Sequence, residues 1–318
     1  MEVAVKAVNL TKRFGDFLAV DHLSFEIYKG EIFGLLGPNG AGKTTTLRML
    51  CTLLPPSEGT ALIEGFDIIK ESSKVRRVLG VVSEGINLYD DLTAKENLEL
   101  LGRLYNIPKR ILNSKIESSL SLIGLSERAD SLVKTFSTGM RKKLLIIAAL
   151  LHDPKILLLD EVTSGLDPQT AVSLRELGKR LCKEENITII WTTHYIEEPE
   201  KICDRVAIID NGRILALNTP EEIKQMVMDS TIVDISCKTY VESSVIEQIK
   251  QLDHSLKIYP KPTGLTILYE RDKNLLTDVF KILAENNIPV IDVKKHTPTL
   301  EEAYLHLTGN NLRGGVKV

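Results

Sequence analysis

Residues 31–44 read Glu31-Ile32-Phe33-Gly34-Leu35-Leu36-Gly37-Pro38-Asn39-Gly40-Ala41-Gly42-Lys43-Thr44. The first six are an apolar run of strand length, and the last eight fit G-x-x-x-x-G-K-[ST], a loop that requires a strand before it and a helix after it. The helix is expected from Lys43 to Leu54, a run of helix formers that stops before Pro55-Pro56. Gly37, Gly40 and Gly42 let successive backbone N–H groups turn inward as a nest for phosphate oxygens, with the positive end of the helix behind them. Lys43 supplies a point charge for the outer phosphates and Thr44 a hydroxyl for Mg²⁺. The candidate nucleotide contacts are therefore Gly37, Pro38, Asn39, Gly40, Ala41, Gly42, Lys43, Thr44 and Thr45.

A second apolar strand, Ile156-Leu157-Leu158-Leu159, delivers Asp160 and Glu161 at its carboxyl end, where open α/β sheets place their ligands. Asp160 is the candidate Mg²⁺ partner. Glu161, one residue on and pointing elsewhere, is placed to orient or deprotonate an attacking water. Together the two stretches specify a P-loop NTPase.

The rest of the chain fits an α/β protein with a helical insertion. Val3, Val5 and Ala7, then Leu23, Phe25 and Ile27, alternate as strands do, while Ala94–Tyr105, Lys109–Gly124 and Met140–Leu151 are helical. Thr188–Trp191 and Val206–Ile209 return as short buried strands separated by helices, the pattern of a parallel sheet. After Pro220, Thr231–Cys237, Val241–Leu252, Ser255–Tyr259, Leu265–Tyr269, Asn274–Glu285 and Pro289–Val293 read as strand, helix, strand, strand, helix, strand, the order of a small α+β ferredoxin-like domain. A last helix starts at Thr299, with Glu302 completing a capping box, and closes at Gly309. The expected domains are 1–222, with a helical subdomain at about 90–152, then 223–309, and a mobile tail at 310–318.

The 318 residues carry 40 Lys and Arg against 43 Asp and Glu, so no global basic field draws the chain to nucleic acid or anionic lipid. Cys51, Cys182, Cys203 and Cys237 are scattered without a C-x-x-C pair, which suits a reducing compartment. The Met1 end has no basic leader before an apolar stretch, so no signal peptide is expected. Apolar runs such as Leu144–Leu151 fall well short of the roughly 20 residues that cross a bilayer. Work at a membrane therefore implies another subunit.

Four further features resemble the ATP-binding subunits of ABC transporters, over residues 1 to about 220. Phe136-Ser137-Thr138-Gly139-Met140 resembles the family's L-S-G-G-Q signature and precedes Asp160 by 23 residues, with Thr138 and Met140 departing from it. Ser137 and Gly139 fall at the positive end of the Met140–Leu151 helix. Arg141, Lys142 and Lys143 crowd that end, where a cation is unfavourable by about 0.3–1 kcal/mol, so an anion or acidic partner is expected there. Ser164-Gly165-Leu166-Asp167 resembles the D-loop, and His194 the histidine that senses the γ-phosphate. Phe14 matches the aromatic on which the family stacks adenine.

The resemblance implies a homodimer in which Ser137, Thr138, Gly139 and Asp167 of one protomer close on the ATP held by the other. It also implies catalytic roles for Glu161, His194 and Lys43, and Mg²⁺ at Thr44, Asp160 and Glu84. Glu84 stands where the family usually has glutamine. Leu88-Tyr89-Asp90-Asp91-Leu92-Thr93 resembles the surface that meets a permease. The versions of the loop and signature, with Pro298–Gly309, resemble the branch pairing with ABC-2 type permeases for drug, antibiotic, sodium or polysaccharide efflux. The implied protein is an ATPase subunit held peripherally at the cytoplasmic face of the membrane by a permease, with no nucleic-acid partner. Its C-terminal domain is expected to stabilise a dimer rather than sense a ligand.

An alternative of another class is a soluble ABC ATPase acting on ribosomes or nucleic acid. Against it stand the single set of motifs, the lack of a heptad run between Lys43 and Asp160, and the lack of a basic stripe in 225–318, where Lys294-Lys295 is only a local pair. A plain P-loop kinase or GTPase needs neither signature nor switch histidine.

Overall fold

The computed structural model describes residues 2–83, 85, 87–226, 230–253, 255–270, 275–296 and 299–308. They form two compact units that divide between Thr219 and Pro220. The first unit opens with β1 (Val3–Phe14), β2 (Phe17–Tyr28), β3 (Ile32–Leu36) and α1 (Lys43–Leu50). It continues through β4 (Glu58–Ile63), β5 (Phe66–Asp67), α2 (Ser72–Val78) and β6 (Leu79–Val82) to α3 (Ala94–Leu104), α4 (Lys109–Leu122) and α5 (Thr138–Leu150). It closes with β7 (Ile156–Asp160), α6 (Pro168–Glu185), β8 (Thr188–Thr193), α7 (Glu197–Ile202), β9 (Arg205–Asp210) and β10 (Arg213–Asn218).

The central sheet runs β10-β9-β3-β8-β7-β6. All its neighbours pair parallel except the β10 edge. Burial on both faces explains the unbroken apolar runs noted in the sequence. In β7, Ile156 and Leu158 enter one core with β1, β2 and α1, while Leu157 and Leu159 enter another with α3, α4, α5 and α6. A separate antiparallel sheet, β2-β1-β4-β5, covers the first core. Trp191 of β8 is fully enclosed in the second.

Several boundaries differ from the sequence reading, among them three helix ends of the first unit by two or more residues. Helix α1 ends at Leu50, four residues before the expected Leu54, because Thr52 turns left-handed (φ 62°) and the Leu53 and Leu54 N–H groups fold back onto the Arg48 carbonyl. Helix α5 begins at Thr138 rather than Met140, because Ser137 is its N-cap. Helix α4 stops at Leu122, short of Gly124 (φ 70°), the αL residue just past its end. The expected closing Gly309 and the tail lie outside the described residues.

The second unit contains α8 (Pro220–Gln225), β11 (Ser230–Cys237), α9 (Ser243–Lys250), β12 (Lys257–Lys261), β13 (Gly264–Glu270), α10 (Leu276–Glu285), β14 (Val290–His296) and α11 (Leu300–Thr308). Its sheet order is β12-β13-β11-β14, every neighbouring pair antiparallel. Inserting β13 between β11 and β12 makes the split βαβ of a ferredoxin-like fold. Val233, Ile235, Leu265 and Ile267 pack on Val245, Ile249, Val279 and Leu283 of α9 and α10. The Thr299–Glu302 capping box is present: the Thr299 N–H donates to Glu302 Oε2 at 2.8 Å, and the Glu302 N–H to Thr299 Oγ1 at 3.3 Å.

Candidate active site

The carboxyl ends of β3, β7 and β8 lie side by side, since β3 pairs with β8 and β8 with β7. The loop after β3 is held by its backbone: Gly37 N–H donates to the Thr193 carbonyl (3.3 Å) and Gly212 N–H to the Ala41 carbonyl (3.0 Å). Glycine is demanded at two positions. A Cβ on Gly37 would lie 2.3 Å from the Ile209 carbonyl oxygen; one on Gly42, whose φ is 104°, would lie 2.6 Å from that of Ala19. Gly42 is also the N-cap of α1, which has no side-chain cap.

Lys43 is 4% exposed and its ammonium donates to the carbonyls of Gly37 (2.8 Å) and Pro38 (3.1 Å). It also pairs with Glu161 Oε1 at 3.2 Å, while Glu161 Oε2 lies 3.0 Å from Nδ1 of His194. One carboxylate thus bridges the phosphate loop and the histidine after β8. Glu161 sits at φ 47°, unusual for a side-chain-bearing residue, and its N–H donates to Thr192 Oγ1 at 3.0 Å. This kink turns Glu161 aside from Asp160, and the two acids keep different partners.

Asp160 Oδ1 accepts from the Thr192 hydroxyl at 2.6 Å and from the Thr44 hydroxyl at 3.4 Å. A hydroxyl and a carboxylate are hard oxygen donors, and Mg²⁺ is commonly held by one or two protein oxygens with the remainder from phosphates and water. Thr44 and Asp160 therefore fit it. Glu84, the third expected metal ligand, lies outside the described residues.

The remaining expected contacts fall elsewhere. Ser137 Oγ accepts from the Met140 N–H at 3.3 Å. Asp167 caps α6, accepting from the Thr170 N–H (2.9 Å) and hydroxyl (2.6 Å); the hydroxyl first, then the amide, holds its carboxyl below the usual range. Gly139 packs so closely on the Thr170 methyl that a Cβ would stand 2.2 Å from it, so the starts of α5 and α6 interlock. No hydrogen bond or ion pair among the described residues joins this pair of helix ends to the Lys43–Glu161–His194 group. Thr138 is exposed. Phe14 is exposed beside the β1–β2 turn, with the Lys12 ammonium 5.4 Å from its ring centre.

The acid expected near Arg141 is in the chain itself: Arg141 pairs with Asp90, and neighbouring Asp91 pairs with Lys134 at 3.1 Å. Both acids belong to the Leu88–Thr93 stretch, which Asn97 anchors by accepting the Tyr89 N–H and donating to the Tyr89 carbonyl. A further residue escaped the sequence reading. Glu198, 3% exposed, accepts from the Thr163 hydroxyl (2.9 Å) and pairs with Arg175 of α6 (3.3 Å). It links α7, four residues past His194, to the segment just after Glu161. Its only sequence signal was a charged residue on a short helix, which does not reveal burial.

A glycine-lined cradle with a buried lysine, facing a hydroxyl–carboxylate pair and a second acid at the strand ends, defines a P-loop nucleoside triphosphatase. The family described as ABC transporter matches residues 20–164. The linearmycin resistance ATP-binding protein LnrL of Bacillus subtilis (strain 168) is 35% identical over 97% of this chain and 99% of its own length. The daunorubicin resistance ATP-binding protein DrrA3 of Streptomyces coeruleorubidus is 34% identical over 98% of each. A dimeric post-hydrolysis ATP-binding cassette bound to ADP and Pi superimposes with a TM-score of 0.61 and 28% identity, over 68% of this chain and 98% of that one. The chain belongs to the ATP-binding subunits of ABC transporters and is an ATPase.

Proposed function

We propose that two copies of this chain close around two Mg·ATP and drive export through a separate membrane permease. No helix among the described residues is long and apolar enough to cross a membrane, so the path for the substrate would come from that partner, which holds the dimer at the cytoplasmic face. The export direction draws on the relatives named for linearmycin and daunorubicin resistance. The domain ending near Thr219 would be the motor, and the C-terminal unit an accessory to it.

The observation that carries the catalytic reading is the bridging carboxylate of Glu161, within 3.2 Å of Lys43 and 3.0 Å of His194. Backbone N–H groups of Gly40, Gly42, Lys43, Thr44 and Thr45 bind phosphate oxygens, and Phe14 offers a ring face to adenine. Lys43 exchanges its pairing with Glu161 for the outer phosphates, which frees Glu161 to accept a proton from the attacking water. His194 holds the other oxygen of Glu161 and senses the terminal phosphate. Ser137, Thr138, Gly139 and Asp167 act on the nucleotide of the opposite protomer. Thr44 and Asp160 would hold Mg²⁺, which neutralises charge on the β- and γ-phosphates when bound.

Replacing Glu161 with Gln tests this reading. Hydrolysis should fall by about 10²–10⁴-fold while ATP binding persists, and an ATP-dependent dimer should accumulate in size-exclusion chromatography. Hydrolysis at the parental rate would remove Glu161 from its role, and a permanently monomeric variant would remove the dimer.

A further inference from the structure

The two edges of the C-terminal sheet differ in character. β12 carries Pro260, with Lys257 and Lys261 at its ends; Lys257 donates to the His306 carbonyl of α11 at 3.2 Å, and Lys261 pairs with Asp234 at 2.6 Å. Proline and lysine blunt a strand edge against pairing. β14, the opposite edge, has no proline; it carries a bulge where Ser236 and Cys237 of β11 face Asp292 and Val290, and it exposes Val290 (37%), Ile291 (68%) and Val293 (41%) alongside the charges of Asp292, Lys294 and Lys295. An open groove of about 620 Å³ runs beside it, lined by Phe280, Ala284, Ile288, Pro289, Val290 and Val293. An unpaired sheet edge is a template for a further strand.

We propose that β14 pairs antiparallel with β14 of a second copy about a two-fold axis through Val293, joining the two C-terminal sheets. Symmetry narrows the register first. A two-fold axis perpendicular to the sheet keeps each face on its own side, so it must pass through a residue rather than between two. Charge then selects which residue. An axis at Asp292 sets that carboxylate against its own copy, and one at Lys294 does the same with the ammonium; like charges directly opposite are destabilising. An axis at Ile291 sets Asp292 against a valine.

Only the axis at Val293 opposes Asp292 of each copy to Lys294 of the other. The two side chains already share a face, since they pair within one chain at 3.1 Å. Lys294 therefore does not blunt this edge, because its charge is matched in the pairing. Ile291 then meets the aliphatic stem of Lys295. Val293, which lies opposite the core residue Ile235 of β11, meets its own copy where the two grooves converge.

This pairing goes beyond the ATP-driven closure and needs no nucleotide, so failure of one leaves the other standing. The test uses the full chain without ATP, in sedimentation at high micromolar concentration, with thermal unfolding as a check on folding. The parental chain should dimerise. D292K and K294D should each dimerise about tenfold more weakly, since both cross-strand pairs turn repulsive. An equimolar mixture of the two variants should regain the parental affinity, because the lysine introduced in one then faces the aspartate introduced in the other, while the remaining pair keeps its native Asp292 and Lys294. Oxidised V293C should form a disulfide-linked dimer that the parental chain, with its own cysteines buried or partly buried, does not form. A monomeric parental chain, a mixture no stronger than its components, or no disulfide in V293C would overturn the proposal, and binding of a foreign strand peptide by a monomeric chain would give the edge to another partner.

Discussion

Two helix starts in the first unit answer the same electrostatic problem in opposite ways. Both α1 and α5 end a loop, carry basic residues in or near their first turn and present a partial positive charge. At α5 the chain supplies its own acceptor, the Ser137 hydroxyl on the Met140 N–H, and Arg141 is answered by Asp90. At α1 the cap is Gly42, which has no side chain, and the acid that pairs with Lys43, Glu161, follows a strand far along the sequence. A helix end that closes on itself is a stable surface, whereas one braced only by glycine geometry and a remote carboxylate leaves its amides for an anion. Ser137 can still donate its hydroxyl hydrogen while accepting from Met140, so α5 suits a second, weaker contact.

Substitutions separate the two ends. Lys43→Ala should weaken ATP binding about 100-fold in a fluorescent-nucleotide titration, from loss of charge-assisted hydrogen bonds worth about 1.5–3 kcal/mol; unchanged affinity would erase the contrast. Gly42→Ala should destabilise the first unit by about 2 kcal/mol, through a positive φ and the clash with Ala19, read as a lower urea midpoint. Ser137→Ala should lower stability by about 1 kcal/mol through loss of the cap, leaving monomer ATP affinity intact but weakening the ATP-dependent dimer of the Glu161→Gln chain. Loss of monomer affinity instead would make α5 part of the same cradle as α1.

The smallest effect lies away from both ends. His152 stacks on Tyr105 with ring centres 4.0 Å apart, and its Nε2 is 2.9 Å from the Leu79 carbonyl oxygen. Burial first holds its pKa below the ordinary 6.5. With the folded value depressed, the unfolded chain takes up the proton first, so this contribution is complete above about pH 6.5 and is lost as the pH falls below it. Unfolding free energy measured from pH 7.5 to 5 should therefore drop more steeply in the parental chain than in His152→Gln.

Much of the placement of the candidate site residues was legible in the sequence because its parts are local. The G-x-x-x-x-G-K-[ST] spacing and the apolar run ending in Asp160 and Glu161 each fix a side chain relative to its own strand. The phosphate loop needed no knowledge of the sheet. What escaped was set by partners distant along the chain. Glu198 meets Arg175 and Thr163 only after α7, α6 and the turn after β7 come together. The early end of α1 hinges on a threonine in the left-handed region, which residue type does not announce. The α5 start lies two residues before the expected one because the serine of the signature is the helix cap and its glycine the second helical residue. β10 and the β4–β5 hairpin are edge pieces with weak alternation, given shape by the strands they join.

The backbone at Glu161 holds a left-handed conformation that a side chain makes unfavourable by roughly 1–2 kcal/mol and that glycine adopts freely. Under the role proposed for Glu161, folding and turnover pull on this position in opposite directions. Selection for robustness alone would favour glycine there, which keeps the loop after β3 and removes the carboxylate that bridges Lys43 and His194.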